Sequence, residues 1–109
     1  MRIYLAGPMT QTAFHTAAYV LRRQGHEVFN PAEEDIKRQG FDVSADNPTG
    51  DPKLAAAQGF DLRAALSADT KYICEEADAI AMLPGWENSK GARAEHALAL
   101  ARGHRVMYL

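Results

Sequence analysis

The sequence predicts an α/β fold in which a parallel sheet carries helices on both faces. Short apolar runs alternate along the chain with stretches in which apolar residues recur at helical spacing. The runs are closed by turn-forming residues, as in Ala6-Gly7-Pro8 and Asn30-Pro31. Because strands separated by helices pair in parallel through right-handed crossovers, helices cover both faces of such a sheet.

The strands and helices can be placed one after another. The strands are predicted at residues 3–5, 27–29, 79–83 and 105–109. A first helix is predicted between the first two strands, where Gly25 ends a set of apolar residues at helical spacing: Phe14, Ala17, Ala18 and Leu21. Further helices are predicted at residues 33–38, 62–77 and 89–102, the last of them ended by Gly103.

We expect the strand order 2-1-3-4 in this sheet. That order creates a switch point between strands one and three, and open α/β sheets bind ligands outside the carboxyl ends of the strands there. The loops that meet at this point are residues 7–12 and residues 84–89. A ligand site is therefore expected between these two loops.

Length and composition limit the class of protein. The 109 residues suit one domain, residues 1–109, and the 47% apolar and 24% charged fractions are ordinary for a globular chain. A net charge of -2 gives no positive field that would attract nucleic acid, and we expect no membrane span and a cytoplasmic location.

The single cysteine, Cys74, is expected to be a small buried hydrophobe, since it has no partner for a disulfide. Neither His15 nor His96 shows ligand spacing, so no metal is expected, and no dinucleotide, P-loop or serine-hydrolase motif indicates a cofactor.

Residues 40–59 differ from the rest of the chain. They are rich in Asp, Asn, Pro and Gly, a composition typical of loops. We expect either a lid over the site or a flexible insertion.

The turn before the last helix is the strongest sign of a binding site. Residues 88–91 combine Asn88, Ser89, Lys90 and Gly91, and such residues at a helix start present backbone N–H groups to an anion. Glu95 follows where the helix N-terminal field favours an ionised carboxylate. Trp86 is expected either to close over a base or to lie in a subunit interface.

The position of Glu95 on its helix is compatible with two roles. The predicted apolar face consists of Ala94, Ala97, Leu98 and Ala101, and Glu95 borders it. Glu95 is then either an edge residue paired with Arg93 or Arg102, or a carboxylate that serves the site.

Asp69 interrupts an apolar stripe. The stripe of the helix at 62–77 consists of Leu62, Ala65, Leu66, Tyr72, Ile73 and Ala77. Asp69 lies three residues after Leu66 and three before Tyr72, where a carboxylate is costly unless it is hydrogen-bonded or faces a cavity. Asp69 therefore either caps a helix that starts at Thr70 or points into a site.

The chain resembles the nucleoside 2-deoxyribosyltransferase superfamily, which includes the 2′-deoxynucleoside 5′-monophosphate N-hydrolases. The resemblance lies in residues 3–9 (IYLAGPM), the Asp69 helix leading into residues 77–80 (ADAI), and residues 91–95 (GARAE). It covers nearly the whole chain except residues 40–59, and is nearest to a small uncharacterised bacterial and phage group with a tryptophan turn like residues 83–86.

The resemblance implies a flavodoxin-like sheet, a nucleophile at Glu95, a second acid at Asp69 and a contributing phenol at Tyr4. It implies phosphate contacts at Asn88 and Ser89, and sugar or base contacts along the first loop: Gly7, Pro8 and Met9. The family usually places the second acid eight residues before the aspartate that opens the strand, whereas Asp69 lies nine before Asp78 and Thr70 occupies the eighth position. The resemblance also implies a homodimer or higher homo-oligomer.

The leading hypothesis is an N-glycosidase that acts on a deoxynucleoside 5′-monophosphate. A carboxylate can trap an oxocarbenium-like sugar, and a second acid can protonate the leaving base. The anion-binding turn favours a monophosphate, and the end of the chain after strand four argues against the transferases, which take C-terminal side chains from a neighbouring subunit. The alternatives are a deoxyribosyltransferase, a non-catalytic nucleotide-binding module and an interaction protein that uses Trp86 and the lid.

Overall fold

The computed structural model describes residues 1–8, 12–40 and 61–109. The expectations for Met9 and for most of the loop at 40–59 lie outside these residues. In chain order the elements are β1 (Arg2–Ala6), α1 (Ala13–Arg23), β2 (Glu27–Phe29), α2 (Pro31–Gln39), α3 (Leu62–Glu75), β3 (Ala79–Met82), a 3-10 turn (Trp86–Asn88), α4 (Lys90–Ala101) and β4 (Arg105–Tyr108).

The four strands form one parallel sheet of order β2-β1-β3-β4, which confirms the predicted strand order. Ile3 of β1 pairs with Val28 on one side and with Ala79 on the other. Ala79 in turn pairs with Arg105 of the edge strand β4. The carboxyl ends of β1 and β3 therefore lie side by side, as the expected switch point requires.

Helices cover both faces of the sheet, as in the flavodoxin-like three-layer arrangement. On β1, Ile3 and Leu5 face α1, whereas Tyr4 and Ala6 face α3 and α4. Because successive strand residues point to opposite faces, Tyr4 is directed into the layer where both candidate carboxylates lie. In the described ranges no helix has the length and apolar character needed to cross a membrane.

The helix α2 is longer than the predicted residues 33–38. Its start is fixed by Asn30, whose side chain accepts a hydrogen bond from Ala32 N at 3.0 Å, and by Pro31 at the first helical position. It packs against both α1 and α3. An element to which the sequence assigned no chemistry therefore lies beside the Asp69 helix.

The predicted stripe of α3 is wrong at its first two leucines. Leu62 and Leu66 are 49% and 40% exposed, whereas Ala65, Asp69, Tyr72 and Ile73 are buried. At 100° per residue, Leu62 and Leu66 lie on the same side of the helix as Asp69 and Ile73, so helical spacing alone does not predict their exposure. Cys74, expected to be buried, is only partly so.

The predicted apolar face of α4 is also wrong. The buried residues are Ala92, Glu95 and Ala99, while Ala94, Ala97 and Ala101 are exposed and Leu98 is half-buried. Alanines occur on two opposite sides of this helix, so their spacing does not identify the packed face. The small side chains of Ala92 and Ala99 let α4 approach the sheet with Glu95 between them.

Two glycines bring the switch-point loops together. A Cβ atom on Gly7 would lie 2.7 Å from Leu83 Cβ, which is closer than side chains pack. Gly85 has a φ of +87°, and a Cβ there would lie 3.3 Å from Pro8 Cγ. The loop after β1 therefore rests directly on the loop after β3.

We predict that Gly7→Ala lowers the free energy of unfolding by about 1–3 kcal/mol, because the new methyl group must displace Leu83. The matched control is Gly91→Ala on α4, where nothing lies within 4 Å of the added Cβ atom. That variant is expected to be neutral or stabilising by up to about 1 kcal/mol. Urea unfolding measures both, and equal effects of the two substitutions would contradict the close contact at Gly7.

Candidate active site

Tyr4 is the centre of the candidate site. It lies on the central strand β1 with 0% exposure, and its ring stacks on Phe29 at 5.4 Å between centroids. Its hydroxyl donates a hydrogen bond to Glu95 Oε2 at 2.5 Å. The aromatic packing holds the phenol ring, so the position of the hydroxyl against Glu95 is fixed by the sheet.

Glu95 lies in the second turn of α4 and is 8% exposed. Burial raises the pKa of Glu95 to about 8; the Tyr4 hydrogen bond lowers it, and the charge of Asp69 raises it. Loss of hydration therefore works against the ionised form that the helix N-terminal field is expected to favour. The pairing with Arg93 or Arg102 is wrong, since Glu95 bonds Tyr4 and Arg102 donates to Cys74 O.

Asp69 lies within α3 and does not cap a helix. The helix runs without a break from Leu62 to Glu75, so the reading of a helix start at Thr70 is wrong. The Thr70 hydroxyl donates to Leu66 O at 2.7 Å and is used by the helix itself. Asp69 is 6% exposed, and its Oδ1 has no hydrogen-bond partner among the described residues. The resemblance expects the second acid at the position of Thr70. In the structure it is Asp69, one residue earlier, whose carboxyl acts on Tyr4.

The two carboxyls titrate as a coupled pair. Burial, followed by the charge of Asp35, raises the pKa of Asp69 to about 7. Burial and both carboxylates hold the pKa of Tyr4 well above its usual value, so its hydroxyl stays a donor. Near neutral pH the pair therefore retains a proton, which gives the site one carboxylate and one carboxylic acid. That combination suits nucleophilic attack coupled to protonation of a leaving group.

The start of α4 supplies polar groups one turn before Glu95. Ser89 is the N-cap, and its Oγ accepts a hydrogen bond from Ala92 N at 3.2 Å. Its hydroxyl proton remains to be donated, and Asn88, Lys90 and Gly91 are exposed. The helix start is therefore capped with exposed polar groups around it, and anion binding there stays a prediction. Gly7 and Pro8 lie across from this turn through the contact of Pro8 with Gly85.

Trp86 packs within its own chain. Its ring lies 4.4 Å from the His96 ring and 6.1 Å from the Tyr108 ring, and His96 Nε2 is 2.9 Å from Tyr108 Oη. His96 follows Glu95 directly and so points to a different side of α4. These contacts account for an indole in a turn, and contact between Trp86 and a base stays a prediction.

The sequence reasoning missed the polar residues of α2 and the residue before it. Asn30 is fully buried and its Nδ2 lies 3.3 Å from His15 Nδ1. Asp35 is 1% exposed and accepts a hydrogen bond from Arg38 Nη2 at 2.6 Å. A signal for Asp35 was present, because it follows the buried Ala32 by three residues on the same helix.

Other ligand sites find less support in the described part of the chain. An open groove on α1 and α2 is lined by His15, Tyr19, Arg22, Arg23 and Glu33. Glu33 accepts hydrogen bonds from Arg22 at 2.6 and 2.7 Å, so the charge of that guanidinium is already balanced. Among the described residues, no cluster of three or more His, Cys, Asp or Glu side chains is arranged to hold a metal ion.

One family model matches the chain. It is described as a domain of unknown function (DUF4406) and matches residues 1–108, so the chain belongs to this family. Searches of curated proteins and of solved structures each found no match. The functional assignment therefore depends on the geometry around Tyr4.

We predict that the free energy of unfolding falls as pH rises from about 5 to 8. Glu95 and Asp69 have raised pKa values, so the folded protein holds protons that the unfolded chain releases. Glu95→Gln is expected to stabilise the protein at pH 8 by at least about 1 kcal/mol and to change it little at pH 5. Glu87→Gln on the exposed 3-10 turn is the matched control. Chemical unfolding at both pH values measures this, and a parallel pH dependence of wild type and Glu95→Gln would contradict it.

Proposed function

We propose that this member of the DUF4406 family is an N-glycosidase that hydrolyses the base–sugar bond of a deoxynucleoside 5′-monophosphate. The observation that carries the proposal is the buried hydrogen bond from Tyr4 to Glu95, beside the buried carboxyl of Asp69 with one unpartnered oxygen. Tyr4, Glu95 and Asp69 are all buried. Burying three polar groups costs stability, and such groups are typical of active sites, which in open α/β sheets lie at the carboxyl ends of the strands.

The first step uses both carboxyls. A carboxylate oxygen of Glu95 attacks C1′ as the bond between C1′ and the base nitrogen breaks. The electron pair of that bond goes to the nitrogen, which takes a proton from the Asp69 carboxyl. The products are a glycosyl ester on Glu95 and a free base.

The second step returns the site to its starting state. Water attacks C1′, the ester bond to Glu95 breaks, and the electron pair returns to the carboxylate. Asp69, now ionised, accepts the proton from the attacking water, so 2-deoxyribose 5-phosphate leaves and Asp69 is again protonated. Tyr4 donates its hydrogen bond to Glu95 when Glu95 is ionised, at the beginning and the end of the cycle.

The start of α4 is the proposed position of the 5′-phosphate. Exposed groups at a helix N-terminus bind anions, and Ser89 keeps a hydroxyl proton for donation. Asn88 and Ser89 precede Glu95 on the same segment, so phosphate bound there fixes the sugar relative to the nucleophile. The proposed contacts from Gly7, Pro8, Met9 and Trp86 complete the sugar and base side.

A deoxyribosyltransferase is the second candidate. Glu95 and Asp69 are only 8% and 6% exposed, which limits the access of water to a glycosyl intermediate. Transfer uses the same first step and differs in that a second base attacks C1′. A new nucleoside or nucleotide, formed when a free second base is added, identifies the transferase.

We predict that the purified protein releases free base from at least one deoxynucleoside 5′-monophosphate. Glu95→Gln is expected to lower kcat by about 10³-fold or more, because it removes the nucleophile while keeping the shape of the side chain. Chromatography of a panel of nucleotides and nucleosides measures the released base. Glu75→Gln, on the exposed far end of α3, is the matched control with unchanged activity.

Absence of base release from every nucleotide and nucleoside, with folded protein, would contradict the proposed function. Thermal stabilisation by nucleotides without turnover would then identify a non-catalytic binding module, since ligand at 100 times its Kd adds about 2.7 kcal/mol. Full activity in Glu95→Gln would reject the nucleophile assignment alone.

We predict that Ser89→Asp lowers kcat/KM for the monophosphate more than for the corresponding nucleoside, by about tenfold or more. Aspartate preserves the N-cap that Ser89 provides and places a negative charge against the phosphate. Ser89→Asn, which also caps the helix and carries no charge, is the control. Steady-state kinetics on both substrates measures the ratio, and an unchanged ratio in Ser89→Asp would place the phosphate elsewhere.

A further inference from the structure

Two leucines of α3 are exposed although they lie on its buried side. Leu62 and Leu66 are 49% and 40% exposed, whereas Asp69 and Ile73 are 6% and 0% exposed. At 100° per residue, Leu62 lies about 20° around the helix from Asp69, and Leu66 lies about 20° from Ile73. Each leucine therefore precedes a buried residue by two turns, on a side of α3 that is covered only further along the helix.

The helices α3 and α4 run in the same direction, from the carboxyl end of the sheet to its amino end, because each is followed directly by a parallel strand. At the amino end they are joined: Arg102 Nε donates to Cys74 O at 3.2 Å, and His104 Nε2 lies 2.6 Å from Ile73 O. Ile73 and Ala99 belong to one buried cluster. The two helices are therefore packed together at the amino end, and the exposed leucines lie at the carboxyl end.

The two carboxyl residues lie at matching positions on these helices. Asp69 precedes Glu75, the last residue of α3, by six positions, and Glu95 precedes Ala101, the last residue of α4, by six. The start of α3 is fixed by Asp61, whose side chain accepts a hydrogen bond from Ala64 N at 3.1 Å. The first two turns of α3 are therefore held in place above the buried acid.

The approach to the two acids has one apolar and one polar side. At 1.5 Å per residue, Leu66 and Leu62 lie about 4.5 and 10.5 Å nearer to the carboxyl end of the sheet than Asp69. Ser89, with its exposed polar neighbours, lies about 9 Å nearer to that end than Glu95. A ligand that reaches the acids from the carboxyl end thus meets leucines on α3 and polar groups on α4.

We propose that Leu62 and Leu66 form an apolar wall against which the base of the substrate lies. Resting on the proposed function, Asp69 donates its proton to the base nitrogen, so the base must lie on the α3 side while the phosphate lies at the start of α4. The flat face of a nucleobase gains free energy by covering apolar surface. Leucine side chains offer no hydrogen bond, so this wall contributes affinity for purines and pyrimidines alike.

The direct test compares binding of deoxyadenosine 5′-monophosphate with binding of 2-deoxyribose 5-phosphate, which lacks the base. Calorimetry is carried out in the Glu95→Gln background, which prevents turnover. Leu66→Asn keeps the size of the side chain, and we expect it to raise the Kd of the nucleotide about tenfold and to leave that of the sugar phosphate within about twofold. An unchanged nucleotide Kd, or an equal change for both ligands, would overturn the proposal.

The matched control is Leu100→Asn. Leu100 is 54% exposed and lies near the end of α4, at the amino end of the sheet. Both Kd values are expected to stay unchanged in this variant. A loss of nucleotide affinity as large as in Leu66→Asn would overturn the proposal, because it would show a general effect of replacing an exposed leucine.

Leu62→Asn covers loss of folding in the first variant. It replaces the first residue of α3, and it is also expected to weaken nucleotide binding without weakening sugar phosphate binding. Sedimentation velocity tests the other occupant of an exposed apolar surface, a second copy of the chain. A wild-type dimer that either substitution dissociates would assign the leucines to a subunit interface and overturn the proposal.

Activity separates this proposal from the proposed function. For the wild-type background, Leu66→Asn is expected to raise KM about tenfold and to leave the pH profile of kcat unmoved, because the wall binds the base and takes no part in proton transfer. Base release with an unchanged KM would overturn the wall alone. If the wild type releases no base, the proposed function fails, and the calorimetric comparison decides whether Leu62 and Leu66 hold a base.

Discussion

Tyr4 has one hydroxyl proton, and two carboxyls lie around it with almost no water. The hydrogen bond to Glu95 at 2.5 Å uses that proton, and Asp69 Oδ1 has no hydrogen-bond partner among the described residues. Burying carboxylates costs several kcal/mol unless each is fully paired, and here one oxygen of Asp69 is not. The protein meets this constraint by keeping a proton on the pair, which is the state that acid and nucleophilic chemistry at neutral pH requires.

The rest of the fold holds these three groups at fixed positions. The parallel register places Tyr4 on a strand paired on both sides, where its ring packs on Phe29. Small residues on either side of Glu95 let α4 lie close to the sheet. The contact of Gly7 with Leu83 joins the loops at the same end. A site carried by strands and helices in this way is more rigid than one built from loops.

Much of the architecture could be predicted from the sequence, because the alternation of strands and helices leaves few topologies for a parallel sheet. The burial of Asp69 could also be predicted, since it interrupts an apolar stripe. The packed face of α4 could not, because alanines lie on two opposite sides of the helix and do not distinguish between them. The hydrogen bond between Tyr4 and Glu95 joins residues 91 positions apart, and no local pattern encodes it. The burial of Asp35 was not predicted, because a short helix rich in polar residues is usually exposed to solvent.

The central step of the proposed mechanism is the formation of a covalent bond between Glu95 and C1′. Intact-protein mass spectrometry after acid quench of a reaction with a deoxynucleoside 5′-monophosphate tests this directly, with peptide mapping to locate the adduct. We predict one 2-deoxyribose 5-phosphate per chain, on Glu95, which appears before free sugar phosphate and is absent from Glu95→Gln. Base release with the adduct on another residue, or an adduct that persists in Glu95→Gln, would contradict it.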